Sequence, residues 1–89
     1  MYVIDIKKKV FKFIQTLDSS DAILAKLKQL EHFKSNQRLS LDIERMKDTK
    51  SRQKLFRLRI GEIRIIFEVL SDKQIIYIKA ADYRGNVYS

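Results

Sequence analysis

The chain has 89 residues, no cysteine, and nineteen Lys and Arg against eleven Asp and Glu. That length suits a single domain, residues 1–89, with a thin core, and the lack of cysteine excludes disulfides, thiol nucleophiles and thiolate metal sites while fitting a reducing cytoplasm. A net charge of +8 with a pI near 9.9 points to a polyanionic partner, whereas no apolar run approaches the roughly 18 residues of a membrane span.

The opening stretch "MYVIDIKKKV" contains a short candidate strand, "YVID". It does not read as a secretory signal, because its basic run follows the apolar residues and no long apolar stretch comes next. From Ile6 to Leu17, the residues Ile6, Val10, Phe13, Ile14 and Leu17 fall at helical spacing. "LDSSD" breaks that pattern, and Asp18 or Ser19 is placed to cap a second helix whose first turn holds Asp21. Ile23, Leu27 and Leu30 give this helix its buried stripe, with an end expected near Lys34. The two helices form a hairpin. Residues 35–53 are polar, although Leu39, Leu41 and Ile43 alternate as in a short extended piece. Three strands are predicted next, over about 54–60, 63–70 and 73–81.

The string "FRLRIGEIRIIFEV" reads as a hairpin turning at Gly61-Glu62. Phe56, Leu58, Ile60, Ile63, Ile65 and Phe67 then share one face, and Arg57, Arg59 and Arg64 share the other. A two-residue loop sets Arg59 opposite Arg64, a like-charge pairing that destabilises a sheet unless something completes it. A second two-residue loop at Ser71-Asp72 predicts Phe67 opposite Ile76, Ile65 opposite Ile78 and Arg64 opposite Lys79. The expected architecture is α+β, with an N-terminal strand and a helical hairpin packed on a twisted antiparallel sheet. Its outer face carries a cationic row of Arg59, Arg64 and Lys79.

Charge is uneven along the chain. Residues 45–59 hold seven basic residues (Arg45, Lys47, Lys50, Arg52, Lys54, Arg57, Arg59) and one acidic, whereas residues 60–89 balance. Arginine suits phosphate, since its planar fork donates paired hydrogen bonds and its charge is permanent. The competing readings are a solvated, solubilising face and neutralisation by Glu62, Glu68 or Asp82. In the C-terminal "DYRGNVYS", a tail folding back would bring Arg84 and Tyr88 toward the arginines. Neighbouring cations favour the phenolate form of a tyrosine. Tyr88 is therefore a candidate base for an RNA 2′-hydroxyl, with the arginines holding the charge that builds on phosphate. The alternative for Tyr88 is packing or base stacking. His32 reads as a surface residue on the second helix, Asp42 and Glu44 as solvated charges. No metal cluster or glycine-rich phosphate loop is evident.

"LFRLRIGEIRIIFEV" followed by "KQIIYIKAADYRGNVYS" resembles the RelE/ParE superfamily of type II toxin–antitoxin toxins. The matching positions are Phe56, Arg57, Arg59, Gly61, Ile63-Arg64, Ile65-Ile66, Phe67 and Arg84-Gly85-Asn86-Val87-Tyr88, and "DIERMKD" resembles the segment upstream. The resemblance implies a metal-independent, ribosome-dependent mRNA endonuclease that needs no cofactor and is held in check by a cognate antitoxin. It assigns catalysis to Arg59, Arg64, Arg84 and Tyr88. RNA binding would fall to Arg57, Lys54, Lys79, Lys47, Arg52 and Tyr83. Arg57 and Arg59 stand where RelE-type enzymes often carry lysine, and arginine hardly deprotonates. Ile63 replaces the usual tyrosine, and Tyr83 a histidine found in several relatives. Two other readings stay open: a ParE-type inhibitor of DNA gyrase, and an attenuated member that binds only antitoxin or nucleic acid. ParE relatives tend to lack the arginine-and-tyrosine ending present here.

Overall fold

The computed structural model describes residues 1–34, 42–46 and 54–83. Strand β1 (Val3–Ile6) leads into helices α1 (Lys8–Gln15) and α2 (Ser20–Lys28), and α2 runs on into a 3₁₀ turn, Gln29–His32. Four more strands follow: β2 (Asp42–Arg45), β3 (Leu55–Ile60), β4 (Ile63–Leu70) and β5 (Ile75–Tyr83). They form one five-stranded sheet in the order β1-β5-β4-β3-β2. The sheet is mixed, because β1 lies parallel to β5 while the other pairs are antiparallel.

The helices cover one face of the sheet. In α1, Val10 and Ile14 are buried one turn apart, with Phe13 and Leu17 packed beside them. The helix begins at Lys8 rather than Ile6, since Ile6 pairs with Ile78 in the sheet. It closes at Thr16, whose hydroxyl donates to the Phe13 carbonyl at 2.6 Å. Ser19 occupies the N-cap position of α2 but its side chain makes no capping hydrogen bond, Asp21 lies in the first turn, and Ile23, Leu27 and Leu30 are buried as their spacing predicts. Phe33 follows and meets Phe56 and Phe67 edge-on, at centroid distances of 5.0 and 5.5 Å. Phe56 and Phe67 stack on each other across β3 and β4. Burial alternates strictly along β4, with Ile63, Ile65, Phe67 and Val69 inward. No polar or charged side chain is fully buried among the described residues.

The β3–β4 register is the one that the alternation predicts: Phe56 faces Phe67, Leu58 faces Ile65 and Arg59 faces Arg64. At the turn, Gly61 has φ +57° and Glu62 does not share the positive region. A positive φ at the first loop residue alone is the type II′ pattern, which matches the twist of the flanking strands.

The β4–β5 register differs from the expectation. Its turn spans four residues, Ser71 to Gln74, not two, because Gln74 takes a left-handed φ of 56° and donates from its side-chain amide to the Ser71 carbonyl at 2.7 Å. Leu70 thus faces Ile75, and Phe67 faces Ile78. A bulge then shifts the register between Ile66 and Phe67, leaving Lys79 as the extra residue between Ile78 and Ala80. As a result, Asp82 and not Lys79 stands opposite Arg64.

Phe67 is fully buried at the junction of α2's trailing segment and the central strand. Phe67→Ala is expected to cost about 3–5 kcal/mol of stability, read as a lower urea midpoint with an unchanged slope.

Candidate nucleic-acid interface

The face of the sheet away from the helices carries the charges. Strand alternation sends Arg57 and Arg59 of β3, and Arg64 and Glu68 of β4, to that side, since their neighbours Phe56, Leu58, Ile63, Ile65 and Phe67 fill the core. One row crosses four strands in register as Asp42, Arg59, Arg64 and Asp82. The next row reads Glu44, Arg57, Ile66 and Ala80. The arginines therefore form a compact group with a carboxylate at each end of their row.

The Arg59 Nε lies 3.8 Å from the Asp42 carboxylate, with both side chains at least half exposed. The Nε atoms of Arg57 and Arg64 are buried, so their stems lie along the sheet. A guanidinium on a stem so packed gives up less side-chain freedom when it meets a ligand. Lys79 turns to Glu68 at 3.5 Å and does not join the arginine row, as the bulge displaces it. This is one of the neutralising contacts weighed from sequence, and Asp82 opposite Arg64 is the position of another. Glu62 sits in the hairpin turn.

The other expected site residues are spread out. Lys54 precedes β3 and is exposed, five residues from Arg59 or roughly 16 Å along an extended strand. Tyr83 pairs with Ile63 and belongs to the helix side of the sheet, where its ring meets Phe13 edge-on at 5.7 Å. It is thus separated from the arginine face by strand parity. Lys47, Arg52, Arg84 and Tyr88 lie outside the described residues. Arg45, part of the basic segment, also faces the helix side, with its guanidinium 6.0 Å from the Phe56 ring centroid.

Asp42 and Glu44 were missed as members of the site. They read from sequence as solvated charges in a polar stretch, and the pairing of β2 with β3 sets them beside Arg59 and Arg57. Their one sequence signal is the alternation in "DIER", where Ile43 lies between two acids. His32 is on the 3₁₀ turn, and no group of three or more His, Cys, Asp or Glu among the described residues is placed to hold a metal ion. No helix among the described residues is long and apolar enough to cross a membrane.

No protein-family model and no curated protein matches this sequence. Solved structures do. The chain superposes on a protein of the archaeal RelE–RelB complex from Pyrococcus horikoshii with a TM-score of 0.78 and 28% identity, covering 94% of this chain and 96% of that one. The chain resembles the RelE-type toxins in fold. This RelE-like chain also shares its fold with a chain of the RelB–RelE complex from Methanococcus jannaschii, at 24% identity and a TM-score of 0.66 over 94% of both chains. The isolated Escherichia coli RelE toxin shares the fold at 17% identity and a TM-score of 0.63, with 99% of this chain and 92% of that one covered.

The exposed Arg59–Asp42 contact is expected to contribute little to stability, about 0.2–1 kcal/mol. A double-mutant cycle with Arg59→Ala and Asp42→Ala under urea denaturation measures it. A coupling several times larger would mean that the carboxylate is a structural partner and not a loose cap.

Proposed function

We propose that this RelE-like chain is the toxin of a type II toxin–antitoxin pair and cleaves messenger RNA on the ribosome, in the cytoplasm, with no cofactor. The observation that carries the reading is the Arg59–Arg64 pair, held in register on the outward face of central strands whose other face packs into the core. Two arginines at paired positions of neighbouring strands suit a phosphodiester whose charge grows as a fifth oxygen bonds to phosphorus. In the proposed step the ribose 2′-oxygen attacks the adjacent phosphorus in line and the bond to the 5′-oxygen breaks. The leaving 5′-oxygen takes a proton from solvent water, and the products are a 2′,3′-cyclic phosphate and a 5′-hydroxyl. Tyr88 takes the 2′-hydroxyl proton, and Arg59, Arg64 and Arg84 stabilise the phosphorane. Arg57, with Lys47, Arg52, Lys54 and Lys79, holds the RNA backbone on either side.

The proposed partners are thus mRNA on the ribosome and a cognate antitoxin. The Pyrococcus protein was solved as a complex of RelE with RelB, and an excess of eight positive charges suits an acidic inhibitor.

Primer extension on a reporter mRNA in a reconstituted translation mix tests the reading. Wild type is expected to cut only when ribosomes are present. Arg64→Ala, which lies off the apolar face, is expected to stay folded and lose activity by about 10²–10³-fold. Tyr88→Phe is expected to slow cleavage without changing the cut positions. Absence of cleavage by folded, antitoxin-free protein would refute the nuclease reading in favour of gyrase inhibition or binding alone.

A further inference from the structure

A cleft of about 310 Å³ lies between helix α1 and the last residues of β5. That is near the lower end of the range for ligand pockets, about 300–1,000 Å³. Val10 and Phe13 of α1, with Ala80 and Ala81 of β5, give it apolar walls, and Lys7 and Lys9 stand exposed at its rim. The Phe13 ring is braced edge-on by Tyr83 at 5.7 Å between centroids. Lys79 also borders the cleft, but its ammonium is turned to Glu68.

Two further observations give the cleft polar chemistry. β1 pairs with β5 only as far as Ile78, so from Lys79 to Tyr83 no described strand lies along this side of β5. Alternate residues of an antiparallel strand turn their N–H and C=O to the same side, which sets a donor beside an acceptor at the cleft. The Asp82 carboxylate is held nearby, since its Oδ1 accepts the Tyr83 N–H at 2.7 Å. Asp82 also joins the cleft to the arginine row. It lines the one and stands opposite Arg64 in the other.

The geometry points to a pocket for an unpaired adenine of the RNA strand whose phosphate lies at Arg59 and Arg64. It rests on the phosphate-binding reading of that row. An aromatic ring and small apolar side chains receive the faces of a base. Adenine carries an amino donor beside a ring acceptor, the complement of a strand's C=O and N–H. The second amino hydrogen is left for the Asp82 carboxylate. Uracil places a carbonyl oxygen where that amino group stands, and guanine offers two acceptors along the same edge, so both set oxygen against carboxylate. Lys7 and Lys9 meet the phosphate next to the bound base.

The probe is a uridine strand about six nucleotides long with one central adenine, methylated at every 2′-oxygen so that it cannot be cut. It is titrated into the full chain labelled with ¹⁵N, beside strands that are abasic or carry uracil at the central position. The adenine strand is expected to bind about tenfold more tightly than either control and to shift the amides of Val10, Phe13 and residues 79–83. Ala81→Val fills the cleft and is expected to abolish that preference while leaving the abasic strand's affinity unchanged. Lys7→Ala/Lys9→Ala is expected to weaken all three strands alike and to reduce their salt dependence. Adenosine monophosphate alone, with no contact at the arginine row, is expected to bind at least about tenfold more weakly than the adenine strand.

Equal binding of the adenine, uracil and abasic strands, all weakened by Arg64→Ala, would overturn the pocket and leave the arginine row as an RNA site. Binding indifferent to Arg64→Ala would overturn the reading of the row and, with it, the link to the cleft. An adenine preference that survives Ala81→Val, or adenosine monophosphate binding as tightly as the strand, would also refute the proposal.

Discussion

Two like charges fixed opposite each other on neighbouring strands repel, and Arg59 and Arg64 occupy such a pair at the middle of the sheet. In water the repulsion is mild, about 1 kcal/mol at contact distances, but it grows several-fold as water is excluded. The arginine face thus resists cover by any neutral or cationic surface. An anion reverses the sign of every term, since each guanidinium then gains a partner as it loses water. The fold tolerates the repulsion because the opposite face of the same strands is buried. Leu58, Ile65 and Phe67 are fully or nearly fully enclosed, and the hairpin cannot slip without turning them to solvent.

Carboxylates temper the row without abolishing its character. Asp42 and Asp82 stand at its ends and Glu44 beside Arg57. The cationic field is therefore local, concentrated between β3 and β4, rather than a uniform sheet of charge. Asp42 draws the Arg59 guanidinium toward the end of the row, so an arriving phosphate competes with that carboxylate for it. The Arg59–Asp42 contact, at 3.8 Å and well exposed, is loose enough to yield to a phosphate oxygen.

The β3–β4 hairpin was legible because two alternating runs flank a two-residue loop with glycine at the position that needs positive φ. The helices were legible for a similar reason: Val10 and Ile14, then Ile23, Leu27 and Leu30, mark their buried stripes at local spacing. The β4–β5 pairing was not. Ser71-Asp72 is good turn chemistry by itself, and nothing in "SDKQ" announces that Gln74 adopts a left-handed conformation. The bulge at Lys79 is equally silent, because a lysine suits both an outward strand position and an extra, unpaired one. These two features together moved Lys79 away from Arg64 and brought Asp82 in.

The sequence by itself determined which residues face the core, which strands are neighbours in the hairpin, and that Arg59 meets Arg64. All of these follow from periods of 2 and 3.6 read within a few residues. Tertiary structure alone decided that β1 joins in parallel beside β5, that Asp42 and Asp82 close the arginine row, and that Tyr83 sits with Phe13 on the helix side. Each of these depends on a register set across a long connection or an irregular turn. There the free energy is decided by how whole faces pack and not by any local pattern.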